Sequence, residues 1–190
     1  MGVTKIYTRL GDDGETRLAN GEKIAKSSLR IEAYGTIDEL NACVGMLKDS
    51  LAERNASKYE DINMIMNKIQ NDLFEIGSEL AFPEGNHRGL MLVGLKETEL
   101  LERDIDRMSE ELEPLVNFVL PGGNTANSIS HIARTTCRRA ERVVVSLAET
   151  VVVRGAVLQY LNRLSDWFFV LGRYILMKEG KEEILWRSRK

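Results

Sequence analysis

The run ARTTCRRAER carries Arg134, Arg138, Arg139 and Arg142 within nine residues. On a helix, Arg134, Arg138 and Glu141 stand at i, i+4 and i+7 and share one face. A guanidinium is planar, always charged and forked, so it matches phosphate oxygens. Spacing alone leaves two readings open: a polyphosphate-binding face, or a solvated face with internal Glu–Arg pairs. Asn162 and Asp166 are also four apart, with Arg163 and Arg173 nearby. Asn162 would either fix helix register or read a ribose or base edge. The N-terminal run TRLGDDGETRL sets Thr8, Arg9, Thr16 and Arg17 around Gly11 and Gly14, and Lys26 follows. Glycines let backbone N–H groups approach an anion, and hydroxyls and cations complete such a cradle. The run is neither G-x-x-x-x-G-K-[ST] nor G-x-G-x-x-G, so a flexible acidic loop is the alternative. Asp38 would serve a helix dipole or partner an arginine of the Arg134–Arg142 face.

Other chemistries are excluded. Glu84 and His87 form one E-x-x-H, but Pro83, Gly85 and Gly89 make that segment a loop. Di-iron bundles need the motif on helices and in two copies. His131 has no second ligand at metal spacing and is expected at the surface or near a helix cap. No metal site is therefore assigned to protein side chains. Met64, Met66 and Met91 fit packing roles. Cys43 and Cys137 form no C-x-x-C, which predicts free thiols in a reducing compartment. No Ser-His-Asp or Cys-His set suggests a protein nucleophile.

The elements that must position these residues are helical. Lys+Arg is 26 against Asp+Glu 29, a net charge of -3 that argues against nucleic-acid binding. No apolar run reaches the ~18 residues of a membrane span, and Arg154 breaks the best one, Val151–Leu158. The N-terminus has no apolar signal region, and Ile6 breaks the myristoylation pattern. The expectation is a soluble cytoplasmic protein with no membrane contact. Pro83, Pro114 and Pro121 are the only prolines, which permits long helices on either side.

A capping box at Thr36–Glu39 predicts a first helix from Thr36, placing Asp38 in its first turn. Apolar spacings of three and four predict helices over about 59–81, 96–112, 124–150 and 154–178. A short strand is expected at Lys5–Thr8. The expected fold is all-α, a single domain: an ordered or ligand-ordered N-terminal loop over 1–30, then a five-helix bundle over 31–190.

Three blocks now carry a family pattern: TRLGDDGETRLANGEKIAKSSLR with EAYGTIDELNACVG, then FVLPGGNTANSISHIARTTCRRAER, then YLNRLSDWFFVLGR. In order and spacing the chain resembles the PduO-type ATP:corrinoid adenosyltransferases over nearly its whole length. The resemblance implies transfer of the 5′-deoxyadenosyl group from ATP to the cobalt of cob(I)alamin, with triphosphate leaving. It implies an N-terminal loop that closes over the triphosphate through Thr8, Arg9, Leu10, Gly11, Thr16, Arg17 and Lys26. It gives the other half of the ATP site to Arg138, Arg139, Ala140, Glu141 and Arg142, with Asn162. Phe118 matches the aromatic residue that crowds the lower face of the corrin ring. Asp38 and Arg134 match an ion pair across a subunit interface beside the corrinoid. A homotrimer with ATP between subunits, Mg²⁺ with the ATP, and a reductase supplying the electron are also implied.

Two departures stand out. Leu10 stands where the family commonly has Thr, so only its backbone can serve. Gly172 stands where Ala is usual, which would weaken a helix interior by ~1 kcal/mol. A corrinoid or nucleotide carrier without turnover is the competing class. A ferritin-like storage bundle would require the paired E-x-x-H motifs that the chain lacks.

Overall fold

The computed structural model describes residues 6–7, 9–83 and 93–188. Five long helices account for most of it: α1 (Leu29–Asn55), α2 (Glu60–Ala81), α3 (Leu95–Glu110), α4 (Thr125–Ala148) and α5 (Gly155–Lys178). Each buries a stripe at alternating steps of three and four, the signature of bundle packing. On α1 the stripe is Ala33, Ile37, Leu40, Val44, Leu47 and Leu51; on α2 it is Ile62, Met66, Ile69, Leu73, Ile76 and Leu80. On α5 it widens to include Tyr160, Trp167 and Phe168, because α5 is covered by both α4 and α3. Helix α1 in turn packs between α4 and α2. Burying one such Leu, Ile or Phe side chain contributes about 1.5–3 kcal/mol, so this shared interior is the main stabilising term. All-α architecture and five helices are as the sequence predicts.

The start of α1 is a correction. The helix begins at Leu29, not Thr36. Ser28 caps it: the Ile31 N–H donates to Ser28 Oγ, and the Glu32 N–H donates to the Ser28 carbonyl. Thr36 lies inside the helix, where its hydroxyl donates to the Glu32 carbonyl at 2.7 Å. Asp38 is therefore in the third turn of α1, and the helix-dipole explanation for it fails.

The short strands also depart from expectation. The part of the Lys5–Thr8 segment that is described, Ile6 and Tyr7, is not strand, while Lys5 and Thr8 lie outside the described residues. Instead β1 (Glu15–Arg17) pairs antiparallel with β2 (Lys23–Ala25), and Thr16 faces Ile24. A second ribbon joins β3 (Val119–Leu120) to β4 (Ile184–Leu185), with Val119 opposite Leu185. It ties the chain's end back to the α3–α4 connection.

Two glycines set the geometry around α4. Gly123 has φ +97°, and a Cβ there would meet Leu176 Cδ2 at 2.8 Å. Gly172 lies in the interior of α5, as the expected helix requires. Its missing side chain lets α4 come close: Asn127 Nδ2 donates to the Gly172 carbonyl at 2.9 Å, and a Cβ would stand 3.3 Å from that nitrogen. Asn127 also accepts from the Gly122 N–H at 2.8 Å, locking the turn to the bundle.

Candidate active site

The arginine face forms as the helical spacing requires. Arg138, Arg139 and Arg142 are exposed on α4, and Arg134 is half-buried. Their chemistry then diverges. Arg139 is paired with Glu39 across α1 and α4. Arg142 Nη1 donates to the Arg138 carbonyl at 3.0 Å. The Arg138 guanidinium has no ion-pair partner among the described residues. Burial first, and the Arg138 charge second, push Arg134 down from the usual arginine value. Among the described residues, cationic charge without a carboxylate partner thus stands at Arg134, Arg138 and Arg142. The Ala140 side chain is wholly buried in the core and spaces the arginines along the face.

Glu141 and Asn162 meet across α4 and α5, with Asn162 Nδ2 donating to Glu141 Oε1 at 3.0 Å. They extend the arginine face onto α5. Arg163 and Arg173 are engaged elsewhere. Arg163 pairs with Glu102 and Asp166, both at 2.9 Å, and Arg173 with Glu183.

The β1–β2 hairpin and the turn before it form an open cavity of about 960 Å³, lined among others by Arg9, Leu10, Gly11, Thr16, Arg17 and Lys26. Lys26 Nζ closes the turn by donating to the Gly11 carbonyl at 2.6 Å. Arg17 Nη1 donates to the Gly21 carbonyl at 2.7 Å. The Arg9 guanidinium stacks over the Tyr7 ring, 5.6 Å from its centroid. Leu10 is exposed. Thr8 lies outside the described residues. Asp12, Asp13 and Glu15 also line the cavity, so its charge is mixed.

Phe118 stands at the end of the β3–β4 ribbon, 75% exposed. Its ring meets Trp186 edge to face, centroids 6.2 Å apart, and the Trp186 N–H donates to the Phe118 carbonyl at 2.7 Å. A large aromatic surface is held outward by backbone hydrogen bonds. Asp38 lines a groove of about 290 Å³ between α1 and α2, beside Asn41 and the exposed Phe74. Asp38 and Arg134 do not pair within the chain.

The family model for cobalamin adenosyltransferase matches residues 6–175. The chain belongs to the cobalamin adenosyltransferase family. It is 39% identical over 188 residues to a cobalamin adenosyltransferase of Cupriavidus metallidurans, covering 99% of this chain and 97% of that one. It is 42% identical over 177 residues to a corrinoid adenosyltransferase of Bacillus subtilis, covering 93% and 89%. Among solved structures, a variant PduO-type ATP:corrinoid adenosyltransferase from Lactobacillus reuteri, complexed with cobalamin and ATP, superposes with a TM-score of 0.89. That match is 36% identical and covers 97% of this chain and 100% of the other.

In this adenosyltransferase family member, one residue near the site escaped the sequence reading and another is placed differently from expectation. Trp186 lies outside every long periodic stretch, and only the β3–β4 register brings it to Phe118. His131 is buried, against the expectation of a surface position. Burial and the Arg134 charge push it down to about 4, with Glu183 acting weakly the other way. For Mg²⁺, no cluster of three or more His, Cys, Asp or Glu that could hold a metal occurs among the described residues. Among the described residues no helix is long and apolar enough to cross a membrane.

Proposed function

We propose that this chain is an ATP:corrinoid adenosyltransferase, forming adenosylcobalamin and triphosphate from cob(I)alamin and ATP. The observation that carries the reading is the cationic charge of Arg134, Arg138 and Arg142 on α4, without a carboxylate partner among the described residues, in a chain of this family. Cob(I)alamin is itself the nucleophile: its cobalt electron pair attacks the ribose 5′-carbon, the C5′–O bond breaks, and triphosphate takes the electrons. The protein then needs no nucleophile of its own, in keeping with Cys137, whose Sγ is buried and donates to the Leu161 carbonyl.

What the protein must supply is charge and position. Arg138 and Lys26 stabilise the anion that develops on the triphosphate, since preorganised charges need no reorganisation at the moment of reaction. Arg9, Gly11, Thr16 and Arg17, with Thr8 and the Leu10 backbone, wrap the phosphates. Arg142, Glu141 and Asn162 hold the nucleotide on α4 and α5, with Arg139 beside them held by Glu39. Mg²⁺ enters with ATP as part of the substrate. Phe118 crowds the lower corrin face and excludes the axial ligand, which eases reduction of Co(II) to Co(I); a separate reductase supplies the electron.

The assembly is proposed to be a homotrimer. The unpaired state of Asp38 and Arg134 within one chain supports this, since the two would then meet across that interface. The enzyme works in the cytoplasm, where Cys43 and Cys137 stay free thiols.

The test is an anaerobic assay with ATP, Mg²⁺, cobalamin and a strong chemical reductant, following the corrinoid spectrum. The expected result is conversion of the Co(I) spectrum to that of a light-sensitive alkylcobalamin at a rate proportional to protein. ATP binding without triphosphate release would make the chain a carrier or sensor. In that case Leu10→Thr is the first reversion to make.

A further inference from the structure

Arg134 differs from the other arginines of the α4 face. It is half-buried and has no carboxylate partner among the described residues. Its side chain is held from inside the chain by one described hydrogen bond: Nε donates to Nδ1 of His131 at 3.2 Å. His131 sits one turn earlier on α4 and is 3% exposed. To accept this bond the imidazole must be neutral, with its lone pair on Nδ1 and its proton on Nε2. Burial and the neighbouring guanidinium keep the ring neutral.

The other nitrogen has no use of its own. Nε2 is buried without a hydrogen-bond partner, facing the bare backbone of Gly172, where a Cβ would stand 3.4 Å away. The Phe169 ring lies edge-on at 6.1 Å. An unpartnered N–H in such a place is destabilising. An apolar side chain of similar size would fill the same volume without that cost. What the imidazole adds over such a side chain is the acceptor at Nδ1.

We propose that His131 is a positioning residue that holds the Arg134 guanidinium by Nε and leaves its two Nη groups uncommitted for a carboxylate from a neighbouring copy. The inference rests on the adenosyltransferase reading, in which that carboxylate is Asp38 and the pair flanks the corrinoid. Fixing a rotamer-rich side chain before association reduces the entropy lost when the pair forms.

The wild-type protein carries a test that is independent of turnover. The Nε–H of Arg134, followed by side-chain ¹H–¹⁵N NMR, exchanges slowly with solvent and loses that protection in His131→Leu. Fast exchange in the wild type overturns the proposal, whether or not the variant folds. The kinetic test compares His131→Leu, His131→Asn and Arg134→Lys in anaerobic turnover. His131→Leu raises the corrinoid KM about ten- to hundredfold, the effect of one hydrogen bond to a charged group. The ATP KM does not change. His131→Asn, whose Oδ1 falls near the place of Nδ1, restores most of the loss. Adding His131→Leu to Arg134→Lys costs nothing further. Equal defects in the Leu and Asn variants, or losses that multiply in the double variant, would reduce His131 to a core residue. Wild-type protein that forms no alkylcobalamin would instead sink the underlying reading, leaving the NMR result to stand or fall alone.

Discussion

Arg154 and Glu79 meet in a two-pronged ion pair, Nε to Oε1 at 2.8 Å and Nη2 to Oε2 at 2.6 Å. The Glu79 side chain is 6% exposed, and Arg154 Nη2 also donates to the Val93 carbonyl at 2.8 Å. One residue thus ties the start of α5 to the end of α2 and to the entry of α3. In the sequence, Arg154 is only an interruption of an apolar run.

Arg154→Ala should be among the most destabilising changes outside the apolar core. It leaves a buried carboxylate without its counter-charge, which costs about 3–5 kcal/mol. Urea unfolding at fixed protein concentration measures it. A loss under about 1 kcal/mol would place the pair with ordinary surface salt bridges.

Arg138→Ala should behave in the opposite way. The side chain is exposed and has no described ion-pair partner, so its removal leaves the fold and the melting temperature as they are. Turnover is expected to be abolished, because in the proposed ATP site Arg138 is one of the cations that stabilise the charge developing on the triphosphate. Near-normal rates in a folded variant would end the assignment of α4 to the ATP site.

The helices were legible because burial imposes a period, and Ile62 through Leu80 repeats it without interruption. The beginning of α1 was not, because two signals competed. Thr36 and Glu39 have capping-box spacing, yet Ala33 extends the buried stripe upstream and Ser28 takes the cap. The arginine face was legible as a helical face. Its division into paired Arg139 and unpaired Arg138 was not, since the partner Glu39 is 100 residues away in the chain. Trp186 was missed, and His131 expected at the surface, for the same reason. Their meaning lies in contacts with Phe118 and with Gly172, which no local spacing encodes.

Phe118→Ala separates reduction from alkyl transfer. Phe118 projects from the ribbon and contributes little to the core, so ATP affinity should be unchanged. Turnover that starts from cob(II)alamin is expected to slow strongly, and turnover from chemically supplied Co(I) to slow less. Equal defects from both starting states would refute the ligand-exclusion role and leave Phe118 as a simple contact.

His131 also makes stability depend on pH, with a definite sign. Its folded-state value is about 4, below the ordinary 6.5. Between these values the unfolded chain binds a proton that the folded chain does not. The stabilisation is therefore complete above pH 6.5 and is lost as pH falls toward 4, by at most about 3 kcal/mol. The charges that bear on the ring are Arg134, which opposes protonation, and Glu183, which favours it. Carboxylates titrate in the lower part of the same window, so the quantity to measure is a difference. Wild type and His131→Asn are unfolded in urea from pH 7.5 to 4.5 at one protein concentration. The wild type should lose stability faster than the variant as pH falls. Parallel curves would mean that His131 takes up its proton in the folded protein, and so that Nδ1 does not stay committed to Arg134.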